Sequence, residues 1–564
     1  MKRILGLIAY ASVPTVINAV QISVDETAPS NPVFDAYVSY SIEFSSFPDY
    51  AGNNSRPNTF SENLLDNLGK ITGTKPYIRV GGNTQDYALY NASLPYSLNG
   101  TIDPKRSSDY PTTIFIGPSF FESYNSFKNT RFIHGFNLGL GGNRTSGWQT
   151  LLDTVPLACK ALGGGKLFAW TYGNEPDLFS TSAQGPVRPP SWNEAEYVDQ
   201  WLNGTRKIHE SLERNCPDLA KNGTYGYIAP SFAGVGNKLK APKAWGEGLN
   251  EDNNIKLFAT HNYISGATSP GVTLQGTLMN HSMTKASVDA HIVEYNQVKA
   301  IDAAAPPLIF GETNSLYNQG RPGLSNTFGA ALWGVDFNLY SASVGFKRVH
   351  MHMGTDYRYA SWQPIATNKA TIGTKAPYYG NIAVASFLAP PPSSPYDSPA
   401  TSLATSLATV KHLPISSTPF LSAYAAYHSS NLTRLILINL QSYNTTASGE
   451  GLAPLPPSSL TPRPSVTFNF TLPAAYLLTD GGKEKQVVVK RLMANGSDAI
   501  TGITWDGWSY NWELDEGRPV RLANVTRTSE SERAWVGEGT SDGGKAGLGV
   551  VVEAGSAALV EFVW

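Results

Sequence analysis

The sequence predicts an α/β chain, a (β/α)8 TIM barrel followed by a C-terminal antiparallel β-sandwich domain. Three observations lead there. Between about residues 33 and 354, eight short β-rich runs alternate with stretches whose apolar residues recur at helical spacing. Consecutive strands separated by helices pair in parallel, because parallel neighbours need long crossovers. No Gly-x-Gly-x-x-Gly follows the first run, which weakens the dinucleotide-binding open sheet and favours closure into a barrel. Beyond residue 388 the pattern changes to short alternating runs separated by Gly- and Pro-rich turns.

Taken in order, the chain opens with Lys2 and Arg3, an apolar run from Ile4 to Ile17, and the small residue Ala19. This is the layout of a secretory leader, residues 1–19, with Ile17 bulkier than the residue usually found two places before the cut. Val20–Val24, within a segment 20–32, reads as a strand free to join the C-terminal sheet. The barrel, residues 33–388, takes its strands from Val33–Phe44, Pro76–Gly81, Arg131–Leu138, Lys166–Tyr172, Tyr225–Pro230, Ile255–Asn262, Leu308–Gly311 and Phe346–His352. Ser61–Ile71, Gln149–Leu162, Asn193–Arg214, Lys285–Ala300 and Asn326–Ser343 supply helices between them. The sandwich, residues 389–564, begins with a Pro-, Ser- and Thr-rich stretch to Pro419 that contains the tandem SLATSLAT, too short for a structural repeat. Its strands follow at Leu435–Leu440, Val466–Leu472, Gln486–Val489 and Ala557–Val563.

Composition narrows the function classes. The 564 residues are 41% hydrophobic, enough for packed interiors, and only 15% charged, with a net charge of −2. That balance gives no electrostatic footing for nucleic acid or for an anionic membrane. Asn-x-Ser/Thr sequons at Asn53, Asn91, Asn99, Asn143, Asn203, Asn222, Asn280, Asn431, Asn444, Asn469, Asn495 and Asn524 support secretion independently of the leader. Cys159 and Cys216 are the chain's two cysteines, so zinc-cluster spacing is absent. In an oxidising compartment they form one bridge; otherwise they are a pair of buried thiols.

Two carboxylates carry the chemistry. Phe168-Ala-Trp-Thr-Tyr-Gly-Asn-Glu-Pro176 is an apolar strand that ends in Asn174-Glu175-Pro176, and Leu308-Ile-Phe-Gly-Glu312 repeats the arrangement. Counted along the chain these are the fourth and seventh strands, so both acids reach the C-terminal rim where barrel enzymes gather their sites. Glycoside cleavage needs such a pair: one carboxyl holding a proton for the leaving oxygen, the other ionised to attack. Asn174 fits a donor to the sugar 2-hydroxyl. Arg79, pointing into a barrel, needs a carboxylate partner, and Glu312 is the expected one. His261, His350 and His352 sit at strand ends where zinc ligands also occur, yet the carboxylate chemistry needs no metal; none is expected, and no cofactor.

At these segments the chain resembles the clan A retaining glycoside hydrolases. Ile78-Arg-Val-Gly-Gly-Asn83, Thr171-Tyr-Gly-Asn-Glu-Pro-Asp177 and Phe310-Gly-Glu-Thr-Asn-Ser315, followed by a sandwich-like tail, look like glycoside hydrolase family 79, nearest its fungal β-glucuronidases. The resemblance implies Glu175 as acid/base ending in the Asn-Glu pair after strand four, Glu312 as nucleophile ending strand seven, and a glucuronide substrate. It also implies that Tyr317 contacts the sugar carboxylate, with Tyr357 or Tyr359 as a second contact. Tyr263, ending strand six, would hydrogen-bond the nucleophile. Glu43 and Asn83 would line the sugar site. No dedicated Lys or Arg stands out to hold a uronate, which suits a 4-O-methylated or otherwise capped glucuronate. The expected activity is a secreted retaining exo-β-glucuronidase. A heparanase-type endo-enzyme or another clan A β-glycosidase is the second reading, and a non-catalytic carbohydrate-binding protein the third.

Overall fold

In the computed structural model, residues 19–142, 144–182, 185–391, 408–473, 476, 485–538 and 546–562 are described. Residues 1–18 of the expected leader and most of the SLATSLAT tandem lie outside them. Strand β1 (Ala19–Ser23) precedes eight strands that close in chain order into a parallel barrel. These are β2 (Val38–Glu43), β3 (Ile78–Gly81), β4 (Phe132–Phe136), β5 (Leu167–Tyr172), β6 (Tyr227–Phe232), β7 (Ile255–Gly266), β8 (Leu308–Tyr317) and β9 (Val349–Met353). Closure is made where β9 pairs with β2, from Val349↔Val38 to Met353↔Ile42.

Helices α1 (Thr59–Thr72), α2 (Thr145–Ala161), α3 (Glu194–Asn215), α4 (Ala241–Gly246), α5 (His281–Ile301), α6 (Phe328–Val344) and α7 (Ala376–Leu388) pack outside. Several start on side-chain caps: Asn58, Asn193, Asn280 and Thr327 each accept a first-turn N–H, satisfying donors that a helix cannot satisfy itself. The connection from β3 to β4 carries no long helix and holds a three-stranded sheet of Ala88–Tyr90, Leu98–Thr101 and Thr113–Ile116.

Side-chain alternation divides the barrel strands. Ile133, Ala169, Ile228, Leu257, Ala259 and Ile309 form a separate apolar cluster, while Ile78, Phe132, Trp170, Tyr227, Phe258 and Phe310 join the cluster shared with the helices. The first set fills the barrel below the rim, and the positions above it on the same faces turn polar: Ser41, Arg79, His261, Glu312 and His352 are all buried. The core of the barrel is therefore dry at its base and ionic at its mouth.

Two strand boundaries differ from expectation in ways that matter. The first strand begins at Val38, because Ala36 takes a left-handed φ of 46° and breaks the extended run from Val33. Glu312 and Tyr263 do not end their strands. The β7–β8 ladder shifts register at Thr260/His261 and then continues, pairing Tyr263 with Asn314 and Gly266 with Tyr317. The ladder thus rises above the rim and carries both tyrosines with it.

Seven further long strands complete the C-terminal domain with β10 (Thr409–His412): β11 (Leu421–His428), β12 (Asn431–Asn439), β13 (Ser465–Leu472), β14 (Lys485–Met493), β15 (Arg533–Glu538), β16 (Ala546–Glu553) and β17 (Ser556–Phe562). Their order is β1-β13-β16-β15-β14-β17-β12-β11-β10, antiparallel except for β1 beside β13. Residues from both ends of this order, Ile22, Phe468 and Val550 with Ala423, Leu437 and Val560, meet in one apolar core, so the two halves face each other as a sandwich. The intervening positions Tyr424, Ile436, Ile438, Ala557 and Leu559 belong to the barrel's cluster instead. Strands β11, β12 and β17 are thus buried on both faces, which explains the unbroken apolar run Leu435-Ile-Leu-Ile438. Helix α6, buried along nearly its whole circumference, fills the junction.

One bridge joins Cys159 and Cys216, tying the C-terminal ends of α2 and α3. Closing a loop with a sequence separation of 57 constrains the unfolded chain by about 4 kcal/mol in the chain-entropy account. Of the twelve sequon asparagines, Asn143 lies outside the described residues, and the other eleven are exposed or partly exposed.

The junction has a polar centre. Asp336 on α6 is wholly buried, accepting from Tyr424 Oη at 2.7 Å and lying 3.0 Å from His281 Nδ1. Burial alone would raise the Asp336 pKa, but His281 and the Tyr424 hydroxyl outweigh it and the net shift is downward. His281 shifts up, burial being outweighed by Asp336. A raised histidine pKa stabilises below its unfolded value and loses that contribution as pH rises through the folded one; the lowered aspartate pKa acts oppositely as pH falls. The junction is accordingly strongest between the two unfolded-state values and weakens beyond them toward the shifted ones. Tyr424→Phe should lower unfolding free energy by about 1.5–3 kcal/mol, with the loss of denaturant midpoint largest inside that window. An equal loss at every pH from acid to alkaline would show that the pair does not control the junction.

Candidate active site

The Asn174-Glu175-Pro176 turn is fixed by its backbone. The Asn174 N–H donates to Asp86 Oδ2 at 2.7 Å and the Glu175 N–H to the Ser231 carbonyl at 3.0 Å. Pro176 has no N–H to satisfy and opens the short helical turn Pro176–Leu178. Glu175 itself sits in the left-handed region, φ 51° and ψ 51°, a conformation costing about 1 kcal/mol that the surrounding bonds enforce. Asp86 also accepts from Leu138 N and Gly139 N at 2.7 and 2.8 Å, tying the loops after β3, β4 and β5 together. Asp177 does the same for the loop after β6, accepting from the Ala233 N–H at 3.0 Å and Asn237 Nδ2 at 2.8 Å. Burial pushes Asp86 up to about 6 and Asp177, with Glu175 near it, up to about 8.

Arg79 lies at the centre. Its Nη1 donates to Glu312 Oε2 at 2.7 Å and to Ser41 Oγ at 2.8 Å, and Nη2 donates to Asn174 Oδ1 at 2.7 Å. The guanidinium is fully buried. It therefore fixes both the Glu312 carboxylate and the orientation of the Asn174 amide, whose Nδ2 is left 3.2 Å from Asn83 Oδ1. The two glycines after it are needed for close approach. A Cβ on Gly81 would stand 2.8 Å from Arg79 Cζ, and one on Gly82, at φ 94°, would stand 2.7 Å from Glu43 Oε1.

Glu312 Oε1 accepts from Tyr263 Oη at 2.8 Å. His261 Nδ1 lies 2.9 Å from Glu175 Oε1 and 3.9 Å from Glu312 Oε2. One oxygen of each glutamate and a ring nitrogen of His261 fall within 4.8 Å of one another. His350 and His352 do not join that group: His350 Nδ1 contacts the Phe310 carbonyl at 3.1 Å, and His352 lies between Ser41 Oγ, at 3.0 Å, and Glu43 Oε2, at 3.4 Å.

The electrostatics separate the two acids. Burial, then the Glu312 charge, drive Glu175 well above the usual carboxylate range. Burial acts upward on Glu312 as well, but His352, His261, Arg79 and the Tyr263 hydroxyl outweigh it and hold Glu312 low. Burial holds His261 itself down to about 3, so at neutral pH it meets Glu175 as a neutral ring, and the permanent positive charge beside Glu312 is the Arg79 guanidinium. His352 is shifted up: burial opposes, and Glu312 and Glu43 prevail.

Glu175, Glu312 and His352 line a cavity of about 470 Å³. Glu43, Asn83, Asn174, Tyr263, Tyr317 and Tyr359 all line it, and its described lining contains no Lys or Arg. Glu43 also accepts from Thr84 N, Thr84 Oγ1 and Tyr357 Oη. Tyr357 spends its hydroxyl there and is not part of the lining, so of the two tyrosines after β9 the cavity is offered Tyr359. Tyr317 stands at the mouth, 47% exposed, its ring lying over Gly266, where a Cβ would come 2.4 Å from Tyr317 Cζ. Next to it Asn318, Gln319 and Gly320 take successive left-handed φ values of 62°, 60° and 78°. Asn318 and Gln319 line the cavity, and their N–H groups have no acceptor among the described residues.

Sequence reasoning did not find Asp86, Asp177, the Asn318–Gln319 amides, or the role of His261 beside both acids. For the two aspartates the available signal was a charged residue within an apolar, glycine-rich segment of a chain that is only 15% charged.

Comparison with known proteins agrees with this architecture. Residues 423–559 match the family model described as the glycosyl hydrolase family 79 C-terminal beta domain. A Neurospora crassa protein named beta-glucuronidase is 98% identical over 563 residues, 100% of each chain. An Aspergillus niger beta-glucuronidase is 52% identical over 497 residues, 88% of this chain and 86% of its own. Among solved structures, a 4-O-α-L-rhamnosyl-β-D-glucuronidase from Fusarium oxysporum 12S, in a Rha-GlcA complex, superposes with a TM-score of 0.70 at 24% identity. It covers 96% of this chain and 100% of its own. A family 51 α-L-arabinofuranosidase from Bifidobacterium longum shares the fold at TM-score 0.52 and 13% identity, covering 96% and 99%. With near-identity to a full-length relative and a matched C-terminal domain, this glycoside hydrolase belongs to family 79.

Proposed function

We propose that the enzyme is a secreted retaining exo-β-glucuronidase that releases terminal β-D-glucuronate, free or 4-O-methylated, from glycans or glucuronides. The observation that carries the mechanism is the juxtaposition of two buried carboxylates with opposite protonation. Retaining enzymes hold their carboxyl groups about 5–5.5 Å apart and inverting ones about 6.5–9.5 Å. The approach of the Glu175 and Glu312 oxygens within 4.8 Å supports the first.

In the first step Glu175 gives its proton to the glycosidic oxygen as the C1–O bond breaks, and Glu312 forms an ester bond to C1. Esterification removes the Glu312 charge, which is one of the causes holding Glu175 protonated. Glu175 thus becomes a base in the second step, takes a proton from water as that water attacks C1, and Glu312 leaves as carboxylate. Arg79 and Tyr263 receive the returning charge, and Asn174 Nδ2 faces the sugar 2-hydroxyl. No step calls for a metal or a cofactor.

Glucuronate specificity is supported by the names of the Neurospora and Aspergillus relatives and by the donors at the cavity mouth. Asn318 and Gln319, with the Tyr317 and Tyr359 hydroxyls, offer the uronate neutral donors in place of a cation.

Release of 4-nitrophenol from its β-glucuronide, beside the β-glucoside and β-galactoside, tests the reading. Glucuronide turnover should exceed the neutral sugars, and Glu312→Ala should lose at least about a thousandfold. Faster turnover of a neutral β-glycoside would sink the uronate assignment. In Glu175→Ala the activated aryl leaving group needs little protonation, so azide should restore turnover by attacking the ester and yield a β-glucuronyl azide; an α product would exclude retention. Activity should fall as pH rises through the raised Glu175 pKa, because the acid loses its proton, and as pH falls through the lowered Glu312 pKa. In Glu312→Gln the Glu175 carboxyl should titrate lower, as followed by carbon-detected NMR; an unchanged value would remove the charge coupling.

A further inference from the structure

The three-stranded sheet between β3 and β4 has one face in the core and one in solvent. Ile114 and Ile116 point inward and are buried, whereas Phe115 between them is 38% exposed. Tyr96 and Ile102, flanking the neighbouring strand, are 66% and 45% exposed. Within the sheet itself the aromatic ring on the solvent face is Phe115. Asn99, the acceptor of the sequon Asn99-Gly100-Thr101, lies directly opposite Phe115 in the antiparallel register, and Leu89 lies on the other side of Phe115. Directly opposed residues share a face with their Cβ atoms about 4.5–5.5 Å apart. Leu98–Thr101 is also the edge strand of its sheet, with one side open to further pairing.

We propose that Asn99 carries an N-linked glycan whose first N-acetylglucosamine lies on the Phe115 ring and covers it on the solvent face of the sheet. The proposal rests on the secretory reading of the N-terminus. The donor is a lipid-diphosphate-linked oligosaccharide. Asn99 Nδ2 displaces the diphosphate at C1 of the first sugar and loses a proton, the N–C1 bond forms, and the lipid diphosphate leaves. The apolar face of the sugar then meets an aromatic face at van der Waals distance, the contact aromatic side chains favour when half in water.

The full chain, made in a glycosylating secretory host, provides the test. Glycopeptide mass spectrometry should find Asn99 occupied. Removing that glycan alone, by Asn99→Gln or Thr101→Ala, should raise the unfolding constant about three- to tenfold in the parent and less than about twofold in Phe115→Ala, since the two sites act together. If the variants fold poorly, the N-acetyl methyl proton of the Asn99-linked sugar gives a second readout: ring current from Phe115 should shift it upfield, and Phe115→Ala should abolish the shift. A bare Asn99 beside an occupied Asn91 would overturn the proposal with secretion intact. A chain with no sequon occupied would overturn both. Equal losses in the two backgrounds, or an N-acetyl signal unchanged by Phe115→Ala, would show that the sugar does not rest on the ring.

Discussion

A single buried guanidinium organises the site. Arg79 has no access to water, and its charge is tolerated because three oxygens from three barrel strands or their loops surround it. An unpaired charge at that depth would cost several kcal/mol. Both partners that matter for chemistry are constrained by this demand: the Glu312 carboxylate is kept ionised, and the Asn174 amide is turned so that its donor faces the cavity. The asymmetry between the two acids follows. Glu312 sits beside the cation, Glu175 does not, and each therefore takes the protonation state that the other's charge reinforces.

Around this centre the loops are held by acids whose partners are backbone amides and, for Asp177, also the Asn237 side chain. Asp86 spans the loops after three strands and Asp177 joins a fourth. In the proposed mechanism their carboxyl groups make no bond to the sugar; Asp86 holds the Asn174 amide and Asp177 the loop after β6. A small displacement of a reacting group costs orders of magnitude in rate, so these bonds belong to the chemistry as much as to the fold.

The residues with local signatures were legible in the chain. Glu175 and Glu312 each follow an apolar strand, and that pattern alone places them at a barrel rim. Arg79 stood out as a charge in an apolar run, and its need for a partner pointed to Glu312. Asp86 and Asp177 could not be read this way, since their partners lie about 50 to 90 residues distant and, Asn237 apart, are backbone groups with no sequence signature. Tyr357 and Tyr359 are both wholly buried neighbours in one loop, and only the direction of each hydroxyl separates them. The extension of β7 and β8 above the rim was hidden because Thr313-Asn-Ser315 carries none of the apolar bias that marked the rest of the strand. In the C-terminal domain the strands were visible, but which of them bury a second face was not, since an unbroken apolar run is compatible with several surroundings.

That second face has an evolutionary consequence. Strands β11, β12 and β17 give one surface to their own sandwich and the other to the barrel. A domain joined in this way is not a detachable accessory of the kind that is shuffled between enzymes by recombination. Cutting the chain at the Pro-rich stretch would strip both halves of a shared interior and leave two water-averse surfaces where one seam had been. The seam makes the two parts one folding unit rather than two exchangeable ones.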